Sequence, residues 1–302
     1  MGTLLRSLVV IVGGLFSLFS LASECELLEK KEDIKACHAM RLDKQPLFSA
    51  SLIAYKPNYF MLMSHNAMRA EQSSQSMPDG IIADNTEGKF QFSFKHAVAD
   101  DLFGSGVDFW FAYTQQSFWQ LYNTDNSSPF RESNYEPEAW FERRFLHLNY
   151  QGWRLDKISF GINHQSNGRS GDFSRSWNRM VLSAAVHREW SNERTLAVEL
   201  RTWRRLRESL DDDDNPDLTE YMGHGEVILA YKHQRHQVSL AIRNLFSGDS
   251  HQGVSLDYSH PLPWNDRVLG YIQFTGGYGE SLIDYNLQNN TISIGVAIAH
   301  WL

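Results

Sequence analysis

From about residue 48 onward, apolar and polar residues alternate in short runs separated by turn-forming stretches. Phe90, Phe92 and Phe94 alternate with Gln91, Ser93 and Lys95, and Val107, Phe109, Phe111 and Tyr113 with Asp108, Trp110 and Ala112. Leu196, Val198 and Leu200 repeat the pattern, as do Val227, Leu229 and Tyr231, and Ile292, Ile294, Val296 and Ile298. A period of two residues marks a β-strand with one apolar and one polar face. The pattern predicts twelve strands, near 48–63, 88–99, 106–121, 136–151, 154–166, 174–190, 195–206, 218–233, 236–246, 252–261, 266–278 and 291–302. Proline is sparse inside the runs, as sheet interiors require, and no helical pattern interrupts them.

The start of the chain reads differently. Arg6 precedes a largely apolar stretch from Leu8 to Leu21, and Ser20-Leu21-Ala22 places small residues at the −3 and −1 positions of a cleavage site. Residues 1–22 therefore read as a secretory signal, the alternative being an uncleaved anchor, for which the apolar stretch is short. Residues 23–47 would follow as an N-terminal periplasmic segment, and 48–302 as the strand-rich domain. The two cysteines, Cys25 and Cys37, are compatible with a disulfide in an oxidising compartment, and no Cys/His cluster of zinc-like spacing surrounds them. A formal charge of −8 argues against nucleic acid as a partner.

Twelve antiparallel strands in an exported protein fit a soluble β-sandwich or a transmembrane β-barrel. Three features favour the barrel. Tight connections (151–153, 190–193, 233–235) alternate with long polar ones (122–135, 207–217, 279–290). Many strands exceed the ~10 residues that cross a bilayer with tilt. The polar rows carry Lys95, Arg175, Arg179, Glu199 and Arg201, charges that a dry core would not tolerate unpaired. The C-terminal Leu302 departs from the aromatic residue that usually ends an outer-membrane barrel.

One hairpin carries candidate chemistry. Ile158, Phe160 and Ile162 share their parity with His164 and Ser166, and on the next strand Asn178 shares its parity with Met180, Leu182 and Ala184. Pairing of the two strands would put His164, Ser166 and Asn178 together at one end of an apolar face. In a barrel that face meets lipid, and the end leads into a long loop, on the extracellular side. A serine hydroxyl becomes a nucleophile when a base takes its proton, and the base works best when a third group fixes its tautomer. A histidine and a serine two apart on a strand also occur by chance, and polar residues are ordinary at strand ends near an interface.

The stretch Asn163-His-Gln-Ser-Asn-Gly-Arg-Ser170, followed by Ser174-Arg-Ser-Trp-Asn-Arg179, resembles the active-site signature of the outer membrane phospholipase A family. Ser127 to Pro137, Asp213 to Gly223 and Gly277 to Asn286 match it in the same order, so the resemblance covers about residues 88–302. It implies a twelve-stranded barrel that hydrolyses acyl esters of phospholipids and lysophospholipids, as phospholipase A1 and A2, with Ca2+ and as a homodimer. On matching positions it implies Ser166 as nucleophile, His164 as base, Asn178 as the residue orienting it and the Gly168 amide as oxyanion donor. Calcium would be held by the Arg169 carbonyl and the Ser174 hydroxyl, with the Ser127 carbonyl supplied by the partner subunit. A second calcium position pairs two aspartates in the family. Asp214 matches one, but Gly171 stands at the other, with Asp172 beside it. Gln115 continues the lipid-facing row of its strand and is either a dimer-interface residue, as the resemblance implies, or a residue of the interfacial water belt. The alternatives of another class are a non-catalytic barrel, such as a channel or adhesin, and a soluble secreted esterase. Large inward residues (Arg175, Trp177, Arg179, Trp203) suggest a filled interior rather than a channel.

Overall fold

The alternating runs form strands, and the sheet closes on itself. The computed structural model describes residues 52–299 apart from 79, 146–147, 192, 210–212 and 246–250. The expected signal sequence, both cysteines and the expected 23–47 segment lie outside the described residues. Ala54–Leu302 forms one compact unit. Its barrel strands are β1 (Asn58–His65), β2 (Thr86–Ala99), β3 (Val107–Trp119), β4 (Phe130–Arg144), β5 (Trp153–Ser166) and β6 (Ser176–Ser191). The second half comprises β7 (Arg194–Arg205), β8 (Gly225–His233), β9 (His236–Arg243), β10 (Gly253–Leu262), β11 (Asn265–Gly277) and β12 (Asn289–Ala299). Each pairs antiparallel with its sequence neighbours, and β12 pairs with β1, for example Val296 with Phe60, which completes the ring.

Side-chain placement is the reverse of a soluble protein. Phe160, Ile162, Leu182, Phe141 and Ile292 point outward and are about half exposed, whereas Glu87, Glu142, Arg131 and Arg179 are buried inside. That inversion is what a bilayer around the wall selects. The interior charges satisfy one another. Lys56 Nζ bridges Glu136 (2.7 Å) and Glu138 (2.9 Å), Arg179 reaches Glu136 (3.1 Å), and Arg201 spans Glu138 (2.8 Å) and Glu226 (3.3 Å). Arg131 pairs with Glu87 at 2.9 Å and with Asp284. A cavity of about 210 Å3 remains among these groups, bordered by Lys56, Glu136, Arg179, Arg201 and Glu226. Losing one partner of such a pair strands a buried charge, at a cost of roughly 3–5 kcal/mol.

Three strand spans differ from expectation. The first barrel strand is Asn58–His65 rather than 48–63, and Ile53–Ala54 forms a separate two-residue strand. The fourth strand runs over 130–144, not 136–151: Glu132, Asn134 and Glu138 lie buried on its inward row and a bulge buries Arg131 as well, so a stretch rich in polar residues is strand. Of the run expected as strand over 218–233, only 225–233 is strand, and Leu218–Met222 forms a short helix, α1. Leu218 and Met222, one turn apart on a shared helix face, are both buried. They pack with Trp177, Trp203, Leu282 and Tyr285 into an apolar cluster at one end of the barrel.

The connections 66–85, 120–129, 167–175, 206–224, 244–252 and 278–288 are long and share that end. Short ones, such as 234–235 and 263–264, lie opposite. In the loop 278–288, Glu280 accepts hydrogen bonds from Lys89 Nζ (2.9 Å) and Thr291 Oγ1 (2.8 Å). Burial alone would raise its pKa, but Lys89, Arg69 and these hydrogen bonds hold it at about 2, below the ordinary 4.5. A carboxyl depressed in the folded state contributes stability above its unfolded pKa and loses it as pH falls through the folded value. Between pH 5 and 2 the wild type is expected to lose up to about 3 kcal/mol relative to Glu280→Gln. Urea unfolding in detergent micelles reads this directly, and a pH-independent difference would contradict it.

Candidate active site

β5 and β6 pair in the register that brings the candidate residues together. His164 lies opposite Asn178 and Ser166 opposite Ser176, at the long-loop end of the hairpin. Their side chains are half-buried on the outer wall, beyond the apolar row of Ile158, Phe160 and Ile162. His164 Nδ1 and Asn178 Oδ1 are 2.9 Å apart. An amide oxygen only accepts, so the hydrogen of this bond belongs to Nδ1, and the lone pair of the imidazole is left on Nε2. Among the described residues no hydrogen bond joins Ser166 to His164. Nucleophile–base contacts are often loose until substrate is bound.

The intervening inward residues hold this outer row in place. Asn163 accepts from Arg179 Nε (3.0 Å) and donates to Glu136 (2.8 Å), and Gln165 accepts from Trp177 Nε1 (2.9 Å). Trp177 is fully buried, and the Arg179 guanidinium lies over its ring at 3.9 Å. Asn167 then clasps the loop. Its backbone N–H donates to the Arg175 carbonyl (3.0 Å), its Oδ1 accepts from the amides of Arg169 (3.2 Å) and Arg175 (3.0 Å), and its Nδ2 donates to the Phe173 carbonyl (2.8 Å).

Gly168 has φ +65°, a left-handed conformation in which a side chain is strained, and an added Cβ would lie 3.1 Å from the Tyr135 ring. Among the described residues its amide makes no hydrogen bond, so it is open to an incoming oxyanion. The Arg169 carbonyl and Ser174 hydroxyl likewise have no hydrogen-bond partner among the described residues. These two hard oxygens, in one loop clasped by Asn167, suit a calcium ion. Among the described residues no cluster of three or more His, Cys, Asp or Glu could hold a metal ion. Asp214 is exposed beside Asn215, whose side chain binds the backbone N–H (2.9 Å) and carbonyl (2.9 Å) of Ser176. Ser127 has φ 60° and lies in the loop 120–129, a different loop of the same end. Gln115 lies on the outer wall of β3, hydrogen-bonded to Tyr113 (3.3 Å) and Ser117 (3.2 Å). Gln115, Tyr135 and Ser166 are successive partners across β3, β4 and β5, so they form one row across the wall.

One contact was not anticipated: Asn178 Nδ2 donates to Glu208 Oε1 at 3.0 Å. Its signal is the parity of β7. Leu200, Thr202, Arg204 and Leu206 continue to Glu208 on the outer row, beside Asn178.

Fold and wall-mounted cluster place the chain among the outer-membrane enzymes built on a twelve-stranded barrel. Its sequence matches the phospholipase A1 family over residues 38–298, and the chain belongs to that family. Phospholipase A1 of Escherichia coli K12 is 34% identical over 250 residues, 82% of this chain and 81% of that one. A Neisseria meningitidis relative is 39% identical over 212 residues, 70% of this chain, and the match spans 54% of the relative. Among solved structures, outer membrane phospholipase A from E. coli superimposes with a TM-score of 0.75 at 32% identity, covering 85% of this chain and 95% of that one. The Salmonella typhi outer membrane phospholipase, a dimer with bound calcium, matches with the same TM-score, identity and coverage. The protein is thus an outer-membrane phospholipase.

Proposed function

We propose that this phospholipase is a calcium-dependent serine hydrolase, active as a homodimer on phospholipids and lysophospholipids at both the A1 and A2 positions. The observation that carries the reading is the hydrogen bond from His164 Nδ1 to Asn178 Oδ1, two residues from Ser166 on the same outer face. Ser166 Oγ attacks the ester carbonyl carbon while His164 Nε2 takes its proton. The oxyanion is met by the Gly168 amide. As the tetrahedral species collapses, the C–O bond to glycerol breaks and His164 returns the proton to the departing alkoxide, giving a lysophospholipid. Water, deprotonated by His164, then attacks the acyl-serine and releases a fatty acid, regenerating Ser166. Calcium, held by the Arg169 carbonyl and the Ser174 hydroxyl with the Ser127 carbonyl from the partner, would supply positive charge beside the oxyanion. Asp214 is retained for a second calcium position, weakened by Gly171.

The site lies on the lipid-facing wall, so substrate arrives by lateral diffusion, and the long-loop end is assigned to the extracellular side. Dimerisation through the outer row of β3, with Gln115 exchanging its intrachain partners for the other protomer, would complete the calcium site and form clefts for acyl chains. The calcium-bound Salmonella typhi dimer supports this reading. The test is acid release from phospholipid micelles by detergent-refolded protein, with calcium or with a chelator, followed by cross-linking at each condition. Activity and dimer are expected to fall together in chelator, and chelator-resistant hydrolysis would remove calcium from the mechanism.

A further inference from the structure

We infer that Glu208 is a positioning residue of the active site, fixing the orientation of Asn178 and through it the tautomer of His164. The inference rests on the reading of Ser166, His164 and Asn178 given above. A side-chain amide is nearly symmetric in shape, and a half-turn about its last bond exchanges an acceptor for a donor. With Oδ1 toward His164, the imidazole carries its proton on Nδ1, and Nε2 can accept from Ser166. With Nδ2 in that place, Nδ1 would have to accept, the proton would move to Nε2, and the base would be lost. Asn178 alone does not choose between these states. An ionised carboxylate accepts only, so Glu208 Oε1, 3.0 Å from Nδ2, selects the productive one.

The placement of Glu208 is built rather than incidental. The Leu206 amide donates to the Asn178 carbonyl at 2.8 Å, extending the β6–β7 ladder past Arg205 and returning the outer row to the site. Arg205 is itself fixed by Asp213 (2.6 Å) and the Asn215 carbonyl (2.9 Å), and Asn215 is tied to Ser176. Among the described residues no lysine or arginine forms an ion pair with Glu208, so its charge is directed to the Asn178 amide. The chain carboxylate–amide–imidazole also sets a negative charge one amide away from the imidazolium that forms as Ser166 attacks.

The test uses the full-length refolded enzyme in calcium, with phospholipid in mixed detergent micelles. Glu208→Ala is expected to lower kcat about tenfold with KM unchanged, and Glu208→Gln, whose amide oxygen still accepts, less than about threefold. Asn178→Asp supplies the control that a structural role would not move. It opposes two carboxylates at hydrogen-bond distance and lowers kcat. Adding Glu208→Gln replaces that repulsion with an N–H donor, so the double variant should be faster than Asn178→Asp alone, reversing the sign of the Glu208→Gln effect. An unchanged kcat in Glu208→Ala, or a double variant slower than Asn178→Asp, would overturn the inference. Full activity of Ser166→Ala would instead overturn the reading beneath it.

Discussion

Ser166→Ala is expected to lower calcium-dependent phospholipid hydrolysis by at least about 10^4-fold while leaving the barrel and its dimer intact. The side chain removed is one hydroxyl on the outer wall, half-buried and without a hydrogen bond to His164, so its loss costs the fold little. In the proposed mechanism it does remove the atom to which the acyl group transfers. His164→Ala should cost about as much, because a serine without its base is a neutral alcohol. The double variant should be no slower than either single one, since groups acting as one unit fail together. Asn178→Ala leaves nucleophile and base in place but frees the imidazole to rotate, so a smaller loss, about 10^2-fold, is expected. Initial rates of acid release, with dimer measured by cross-linking in the same samples, separate these outcomes. A Ser166→Ala rate within tenfold of wild type would assign the chemistry elsewhere.

Gly161→Ala is expected to be the most disruptive single methyl in the hairpin. Gly161 faces Trp140 across β4 and β5, and an added Cβ would lie 2.1 Å from the Ala139 carbonyl oxygen, 2.4 Å from Trp140 Cβ and 2.6 Å from Trp140 Cα. The first and last of these are backbone atoms, which no rotamer change moves aside, so the strands must separate. The ladder there also sets the height of Ser166 against its partner Tyr135, whose ring lies under Gly168. A loss of more than about 3 kcal/mol is expected. Gly171→Ala is the matched comparison: its φ is +63° with nothing within 4 Å, so it should cost only about 1 kcal/mol of backbone strain. Urea midpoints and the fraction refolding to the compact form on gels report both. Equal losses would show that the close approach at Gly161 relaxes.

The period of two carried most of the architecture because the bilayer punishes any exception to it. An outward charge has no water, and an open strand edge has no partner, so the alternation is kept nearly without fault and the faces can be read from parity. The placement of His164, Ser166 and Asn178 on one outer face was legible for that reason, their register following from the hairpin. Where the interior is polar, the signal fails. Arg131, Glu132 and Asn134 look like a loop until the ion pairs inside the barrel are known, which displaced β4 by six residues at its start. Leu218, Tyr221 and Met222 suit a strand by composition, but one turn of helix buries Leu218 and Met222 in the cluster around Trp177 and packs Tyr221 against it. Glu208 was missed because its partner lies 30 residues earlier, and the acidic run that follows it draws the eye to solvent.

The inverted wall, with charges paired within and the reactive cluster on its greasy outside, also sets the kinetic variable. Enzyme and substrate, and the partner subunit of the proposed dimer, share a plane, so encounter rates follow their mole fractions in that plane and not their concentrations in the tube. Diluting the micelles with inert detergent, at constant protein and phospholipid per litre, thins the plane and slows the reaction. For an enzyme active as the proposed dimer it acts twice, once on substrate arrival and once on subunit association, so the rate should fall more steeply than the lipid fraction itself. In a cell the same geometry makes the composition of the leaflet facing the site, rather than the amount of enzyme, the quantity to which turnover responds.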